Sequence, residues 1–353
     1  MRPYISVIYY SRNDDHGGNM LSRMQASFDS FFLQFERLGL ESEIIVMDYN
    51  PPSDRPPLCE VLKLKVESRF CDVRFITVSK EIHESYEDGK KMPINHMVAR
   101  NSGIRRAKGE FILSTCIDVL LSKELAEFLA AKKLEKNRSY RLDRIDINRD
   151  VLSYELDLDG MLYYAAKNII DVHFDVEFGG KFPQSEYNFL HTNMSGDFNL
   201  LHSDYWHSLH GYPEYDCQGT HADTIFCYMA HFAGAREFIF EEPYRIYHID
   251  HDSRWMWPVY THVLRNWRML KFKVDTKTLK ELKPQYYELA RKAHELSGES
   301  TPLEGVGIKI MSKDEYHAII RDIMLGEGDI RYNGEEWGLA NINLPETKAS
   351  TKK

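Results

Sequence analysis

Residues 111–122, FILSTCIDVLLS, hold a single carboxylate within a mostly apolar run. The first five residues have the composition of a buried strand, and Ser122 stands where a following helix would be capped. Asp118 therefore comes just after a strand, at the edge of a sheet where ligands bind in α/β proteins. Two interpretations are open: a strand-end Asp that accepts backbone N–H bonds, or a metal ligand.

Strand-like and helix-like segments alternate around this stretch. A helix with apolar residues at three- and four-residue spacing is predicted from Leu21 to its end at Gly39, and a second over residues 93–107. Alternating strands and helices imply βαβ units and a mainly parallel sheet. The strands are predicted at 4–10, 43–50, 73–79 and 111–116.

Polar segments follow three of these strands. They are Ser11–Asp15, Asp48–Asn50 and Thr115–Asp118. Because parallel strands carry their carboxyl ends to one edge, these segments are predicted to lie along one rim.

The second half of the chain is predicted to continue the α/β domain and then become helical. A helix is expected around 221–233 and a strand within 236–252, followed by helical segments over 258–273 and 276–296. The predicted divisions are an α/β domain over 1–252, a mostly helical extension over 253–345, and a polar tail over 346–353 that is expected to be disordered.

Composition excludes several classes of protein. The 353 residues include 45 basic and 54 acidic side chains, and a net charge of −9 argues against a nucleic-acid partner. The five cysteines are scattered and form no CxxC pair, which fits a reducing cytosol better than a zinc site or a disulfide framework. No run approaches the roughly 18–20 apolar residues that span a bilayer. The opening MRPYISVIYY is too short an apolar run for a signal peptide. We therefore expect a cytoplasmic protein, with association at the inner membrane face left open.

Three segments together resemble one enzyme family. A first strand ending in a polar loop precedes ARNSGIRRAKGEFILSTCID (99–118), which is followed by SGDFNLLHSDYWHSLHGYPEY (195–215) and HADT (221–224). Their order and spacing, over about residues 4–250, resemble family-2-type glycosyltransferases of the GT-A fold. The second half is also similar to the galactosyltransferase C-terminal type.

The resemblance implies both a fold and an activity. The fold would be α/β, with a Rossmann-like, mainly parallel sheet flanked by helices and an added C-terminal helical region. Within the α/β domain, the resemblance implies a nucleotide-binding part over about 1–122 and an acceptor part over about 190–252. The activity would be transfer of a sugar from a nucleotide-diphosphate donor (UDP-, GDP- or dTDP-linked) to a hydroxyl of a glycan or lipid-linked acceptor. Such transfer usually inverts the anomeric centre and uses a divalent cation.

The same resemblance assigns a metal site to the opening stretch. GT-A enzymes carry an Asp-x-Asp-like motif after this strand, which here reads Cys116-Ile117-Asp118. Asp118 falls on the position of a ligand for Mn²⁺ or Mg²⁺, whereas Cys116 is a poor ligand for a hard cation. A histidine is expected to complete the shell; His248 is preferred over His251, and a pair of loop histidines without metal is the alternative.

The resemblance also implies a catalytic base at the start of the helix after the Gly-Tyr-Pro-Glu turn. Asp223 is the predicted base, with His221 as the second candidate because imidazole also titrates in the useful range. The alternative for Asp223 is a first-turn acid that is favoured by the helix dipole.

The remaining site residues are implied by position within the family. For the donor, Arg100 is an alternative to Arg105 as the contact of the diphosphate. For Trp206 an ordinary core position is the favoured interpretation, and a place in the sugar site is the alternative that the resemblance implies. Predicted donor-binding residues are Tyr10, Ser11, Asn13, Asp48, Asn101, Arg105 and Asp197, and predicted acceptor-binding residues are Gly196, Trp206 and Glu214.

Two further groups receive no single interpretation. Arg141, Asp143, Arg144 and Asp146 form either a surface ion-pair strip or an acceptor-binding wall. Trp255 and Trp257 belong either to an acceptor-facing loop or to an anchor for the C-terminal helices. Because Cys116 departs from the family pattern, the alternative function is a catalytically weak GT-A domain that binds nucleotide sugar or glycan without transfer.

Overall fold

The computed structural model describes residues 2–173, 190–215, 219–251, 311–327 and 329–349, with a few positions between 278 and 292. These residues form an eight-stranded and a four-stranded sheet. The strands are β1 (Ile5–Ser11), β2 (Ser42–Tyr49), β3 (Cys71–Val78), β4 (Phe111–Thr115), β5 (Val119–Leu121), β6 (Arg138–Arg141), β7 (Arg144–Ile147), β8 (Ile169–His173), β9 (Phe198–His202), β10 (Arg236–Ile239), β11 (Ile246–Ile249) and β12 (Glu346–Lys348).

Helices connect and cover the strands, as the α/β prediction requires. The α-helices are α1 (Met20–Leu38), α2 (Leu58–Val61), α3 (Lys80–Glu84), α4 (His96–Arg106), α5 (Lys123–Ala130), α6 (Leu158–Lys167), α7 (Ser203–Ser208), α8 (Ala222–Phe232) and α9 (Lys313–Leu325). Short 3-10 turns cover Arg149–Ser153 and Ser195–Asp197. The predicted helices over 21–38, 93–107 and 221–233 are confirmed as α1, α4 and α8.

The main sheet runs in the order β10-β6-β9-β4-β1-β2-β3-β12. Its centre, β3-β2-β1-β4, is parallel, and β9 and β12 join as antiparallel neighbours. The mainly parallel α/β sheet predicted from the sequence is therefore confirmed. From β1 the chain moves to β2 on one side and later returns to β4 on the other. This switch point opens a crevice beyond the carboxyl ends of β1 and β4, where ligands of open α/β sheets bind.

Alternation along β1 buries both faces of the sheet. Val7 and Tyr9 pack with α1 in one core layer, and Ile8 packs with α4 in the other. Gly103 lets α4 lie directly on the sheet, since a Cβ there would meet Ile8 Cγ2 at 2.6 Å. Helix α1 ends at Gly39, whose φ of 65° is a left-handed conformation that favours glycine.

The four-stranded sheet, β5-β11-β7-β8, places the end of the opening stretch beside two distant segments. β5 pairs antiparallel with β11, with His248 opposite Val119, and β11 pairs parallel with β7, with His248 opposite Asp146. The Ile249 amide also donates to the Asp118 carbonyl at 2.9 Å. The predicted strand within 236–252 is therefore two strands, β10 and β11, in different sheets.

The prediction of a disordered tail over 346–353 is wrong for its first residues. Glu346–Lys348 form β12, which pairs antiparallel with β3. The Glu346 carboxylate holds Arg74 at 2.8 Å, and Arg74 also contacts the buried Glu43 at 2.9 Å. A polar composition thus conceals an edge strand fixed by ion pairs. The predicted helices over 258–273 and 276–296, with Trp255 and Trp257, lie outside the described residues.

Candidate active site

Three predicted metal ligands converge at the crevice beyond β4. Asp118, His248 and His251 offer ligand atoms that all lie within 4.8 Å of one another. His248 Nε2 lies 3.5 Å from Asp118 Oδ1, and His251 Nε2 lies 3.2 Å from Asp118 Oδ2. Asp118 Oδ1 is buried and has no hydrogen-bond partner among the described residues. One carboxylate and two imidazoles are a donor set that suits Mn²⁺ better than Mg²⁺.

The charge state of Asp118 follows from its neighbours. Burial opposes ionisation, but His248, His251 and Arg23 outweigh it and hold the pKa of Asp118 well below its ordinary value. Burial and Arg144 oppose a charge on His248, yet Asp118 and Asp146 together raise its pKa. The carboxylate is therefore ionised at neutral pH, as a metal ligand must be.

Arg23 was not anticipated from the sequence. Its Nη1 lies 2.6 Å from Asp118 Oδ2, and the two side chains are 1% and 6% exposed. A cation was detectable there in principle, because Arg23 interrupts the apolar stripe of α1 between Met20 and Met24. The loop after β1 closes over the pair, and a Cβ at Gly17 would meet Arg23 Nη2 at 2.8 Å.

A chain of buried charges extends from His248 to Asp197. His248 Nδ1 lies 3.1 Å from Asp146 Oδ1, Arg144 contacts Asp146 at 2.8 Å, and Arg144 Nη1 contacts Asp197 Oδ2 at 3.0 Å. The interpretation of Arg144 and Asp146 as a surface strip is corrected, since both side chains are largely buried. Arg144 and Asp146 alternate along β7, so both side chains lie on the face of that strand that borders the site. Burial opposes ionisation of Asp197, and Arg144 holds its pKa below the ordinary value.

A second cation, Arg100, lies on the other side of Cys116. Its guanidinium donates to Ser114 Oγ at 2.9 Å and to the Gly196 carbonyl at 2.7 Å, and it lies 4.8 Å from the centre of the Tyr10 ring. Burial raises the pKa of the Cys116 thiol well above its ordinary value, so this neighbour is neutral too. The described contacts of Arg100 are thus with neutral groups, which leaves its charge available to an anionic ligand.

Asp223, the predicted base, faces the same gap. A Cβ placed on Gly196 would lie 3.2 Å from Asp223 Oδ2 and 3.4 Å from Arg100 Nη2. Gly196 therefore keeps open a narrow space between an acid and a buried cation. The second candidate, His221, precedes α8 with a left-handed φ of 63°, and its ring stacks on Tyr316 of α9 at 4.1 Å.

Asp48, at the end of β2, combines burial with an unused oxygen. Oδ2 accepts a hydrogen bond from the Leu58 amide at 2.8 Å, while Oδ1 is buried without a hydrogen-bond partner among the described residues. Burial raises the pKa of Asp48 to about 6. An orphaned acceptor in a crevice suits the N–H or O–H groups of a ligand.

The other donor residues predicted after β1 lie nearby, each with a partner from another element. The Tyr10 hydroxyl contacts His96 Nδ1 at 3.1 Å, Ser11 Oγ contacts Met20 Sδ at 3.7 Å, and Asn13 Nδ2 donates to the Pro56 carbonyl at 2.9 Å. Burial and Arg100 lower the pKa of His96 to about 3, so its ring is neutral.

The structure places two predicted donor-binding residues, Asn101 and Arg105, against later parts of the chain. Asn101 Nδ2 donates to the Tyr212 carbonyl at 2.8 Å, and Arg105 donates to the Trp337 carbonyl and lies 4.8 Å from the centre of its ring. Both side chains project from the side of α4 that packs against residues from later in the chain. The helical spacing places them one and five residues beyond Arg100, and that rotation turns them away from the crevice.

Two predicted acceptor residues also make their described contacts within the protein. Trp206 is fully buried, donates its indole N–H to the Ile112 carbonyl at 3.1 Å and stacks on Phe226 at 4.2 Å. Glu214 accepts from Asn101 Nδ2 at 2.7 Å and from the Gly338 amide at 2.9 Å. Trp206 is a core residue, and Glu214 braces the chain segment around Gly338. Neither contacts the gap at Gly196.

Comparison with known proteins gives only a loose likeness. No family model matches the sequence, and no curated protein matches it. Among solved structures, a crystal structure of S. aureus TarS covers 92% of this chain and 49% of its own, at 14% identity and a TM-score of 0.40. A crystal structure of S. aureus TarS 1–349 covers 91% of each chain, at 14% identity and a TM-score of 0.39. The chain spans about half of the longer TarS structure. At these values the likeness assigns neither family nor activity.

Among the described residues, no helix is both long enough and apolar enough to cross a bilayer.

Proposed function

We propose that this chain is a glycosyltransferase that moves a sugar from a nucleotide-diphosphate donor to an acceptor hydroxyl, in glycan or cell-envelope polysaccharide synthesis. The observation that carries the proposal is the convergence of Asp118, His248 and His251 at the carboxyl edge of a parallel sheet. In sequence, Asp118 is separated from the two histidines by about half of the α/β domain. The family resemblance also places metal ligands in these two segments.

Asp118, His248 and His251 would hold Mn²⁺ or Mg²⁺, with Mn²⁺ favoured by the two nitrogen ligands. The buried Asp118 Oδ1, without a hydrogen-bond partner among the described residues, is the observation that fits a cation there. When bound, the cation would supply charge stabilisation to the departing diphosphate. Arg100 would add a fixed positive charge on the other side of Cys116, because a buried guanidinium matches phosphate oxygens.

The donor would lie across the ends of β1, β2 and β4. Asp48 Oδ1 would accept a hydrogen bond from the nucleoside, flanked by Tyr10, Ser11 and Asn13. Asp197, held by Arg144 at 3.0 Å, would accept hydroxyl hydrogens of the donor sugar. A UDP-, GDP- or dTDP-linked donor satisfies this arrangement equally.

Asp223 would act as the base in an inverting transfer. The acceptor hydroxyl would enter the gap beside Gly196, attack the anomeric carbon and give its proton to Asp223, while the diphosphate leaves from the opposite face. His221 is the second candidate for this role. Because Gly196 lies between Asp223 and Arg100, the base and the cation would face the reacting groups from two sides of the gap.

A donor panel tests the proposal. The protein is incubated with UDP-, GDP- and dTDP-sugars, with and without Mn²⁺, and released nucleotide is measured together with the thermal shift. We expect one nucleotide to stabilise the fold and its sugar to be transferred or slowly hydrolysed. Asp223→Asn should lower turnover at least about 100-fold without weakening nucleotide binding. Asp204→Asn is the matched control, since Asp204 is a first-turn acid of α7 that lies on the surface.

Two outcomes would contradict the proposal. If no nucleotide shifts the melting temperature, the site does not bind a donor. If a nucleotide binds but no sugar is released and Asp223→Asn changes nothing, the chain is a binding domain without transfer.

A further inference from the structure

The metal ligand Asp118 already has a cationic partner within the protein. Arg23 Nη1 lies 2.6 Å from Asp118 Oδ2, and both side chains are buried. A salt bridge of this length with little solvent is strong, because the surrounding medium screens it weakly.

Arg23 is also held on its far side, by carbonyl groups of the loop after β1. Its Nη2 donates to the His16 carbonyl at 2.5 Å, and its Nε donates to the Gly18 carbonyl at 3.1 Å. Between these two residues, a Cβ on Gly17 would meet Arg23 Nη2 at 2.8 Å and His251 Nδ1 at 2.9 Å. The loop after β1 therefore packs against both the guanidinium and one of the metal ligands.

The ligand cluster consequently offers almost no net negative charge to a cation. Its only carboxylate is Asp118, its other members are imidazoles, and Arg23 supplies one full positive charge beside the carboxylate. Two further acids of the site, Asp146 and Asp197, share Arg144, which contacts them at 2.8 and 3.0 Å. A divalent ion would thus meet a ligand cluster whose carboxylate charge is already offset by a fixed cation.

We propose that Arg23 is a resident counter-ion that keeps this site from binding a divalent cation tightly until a diphosphate supplies the missing negative charge. The inference rests on the proposed function and assigns a positioning role to Arg23. Metal and donor would then bind together, and the loop over Arg23 would join the metal site to the donor side of the crevice.

The test uses Mn²⁺ alone, measured by the loss of the free-ion signal in electron paramagnetic resonance. We expect weak binding to the wild type and binding at least about tenfold tighter in Arg23→Met and Arg23→Gln, because a full charge close to the dication is removed. Arg23→Lys, which keeps the charge, should stay within about threefold of the wild type. Arg37→Gln is the matched control: the same change at the exposed end of the same helix should leave Mn²⁺ affinity unaltered.

The wild type provides a second measurement that needs no variant to fold. Mn²⁺ alone should not raise its melting temperature, whereas Mn²⁺ with UDP or GDP should raise it more than the nucleotide alone. Neutral variants that bind Mn²⁺ no more tightly than the wild type would overturn the inference. So would a wild type that Mn²⁺ alone stabilises fully. Both results concern binding of the metal, so they are separate from the donor panel, whose failure would instead be an absence of nucleotide binding or transfer.

Discussion

Asp118 is the residue on which both histidines and Arg23 converge. Its neighbours come from α1, from β11 and from the loop that follows β11, and each contact is between 2.6 and 3.5 Å. The positive groups around Asp118 keep its carboxylate ionised although it is buried. Replacing Asp118 therefore tests whether the cluster binds a metal or is only a structural ion pair.

We expect Asp118→Asn to abolish Mn²⁺-dependent nucleotide binding. His248→Gln should weaken it by at least about tenfold, since a nitrogen ligand is lost. Isothermal titration with nucleotide in the presence and absence of Mn²⁺ measures both. If Mn²⁺ strengthens nucleotide binding to Asp118→Asn as much as to the wild type, Asp118 is not a ligand.

Asp48 predicts a pH dependence of stability. Burial raises its pKa from 3.8 to about 6, so the folded protein holds this proton more tightly than the unfolded chain does. The favourable contribution is fully present below pH 3.8 and is lost as the pH rises through about 6, a change of up to about 3 kcal/mol in the free energy of unfolding.

Asp48→Asn should remove that loss. We expect the variant without nucleotide to be more stable than the wild type at pH 8 and nearly equal to it at pH 4, as measured by urea unfolding. Nucleotide binding should weaken at the same time, because the unused oxygen is neutralised. A variant that is less stable than the wild type at pH 8 would show that Asp48 is not destabilised by burial.

At the scale of elements, the close contact between α4 and β1 fixes the direction of Arg100. A Cβ on Gly103 would overlap Ile8 Cγ2 at 2.6 Å and Met47 Cγ at 3.1 Å. Helix α4 can lie this near the sheet only with glycine at that position.

We therefore expect Gly103→Ala to lower the free energy of unfolding by about 1–3 kcal/mol through overpacking. It should also weaken nucleotide binding, because Arg100 moves with the helix. Gly334→Ala is the matched control: a Cβ there meets nothing within 4 Å, and the change should stay within about 0.5 kcal/mol. Equal effects of the two substitutions in chemical denaturation would refute the close packing.

The sequence predicted the elements better than it predicted their partners. The apolar spacing of α1, its end at Gly39 and the cap at Ser122 depend on neighbours a few residues away, and all three are confirmed. The contact of His248 with Asp146 depends on the register between β11 and β7, which local periodicity does not encode. Trp206 lies in the core, which is the interpretation that its sequence favours.

At the scale of the whole molecule, the C-terminal segment ties the two halves of the α/β domain. Trp337 is 4% exposed, stacks on His210 and lies under Arg105, while Arg106 donates to the Gly338 and Leu339 carbonyls at 2.8 Å. Because this region is mostly polar, its sequence did not indicate that it packs against the α/β domain.

We expect Trp337→Ala to cost about 3–5 kcal/mol of stability, as for other buried aromatic residues. Leu325→Ala, at a side chain that is 62% exposed, should cost less than about 1 kcal/mol. Urea unfolding distinguishes the two. A small loss in Trp337→Ala would mean that the segment is not part of the core.

The central claim is that the crevice beyond β1 and β4 binds a divalent cation together with a nucleotide diphosphate. Crystals soaked with MnCl₂ and the nucleotide that gives the largest thermal shift test it directly, through the anomalous signal of manganese. We expect one peak within ligand distance of Asp118 and His248, next to diphosphate density that faces Arg100. No peak there, with the nucleotide bound elsewhere, would contradict the claim.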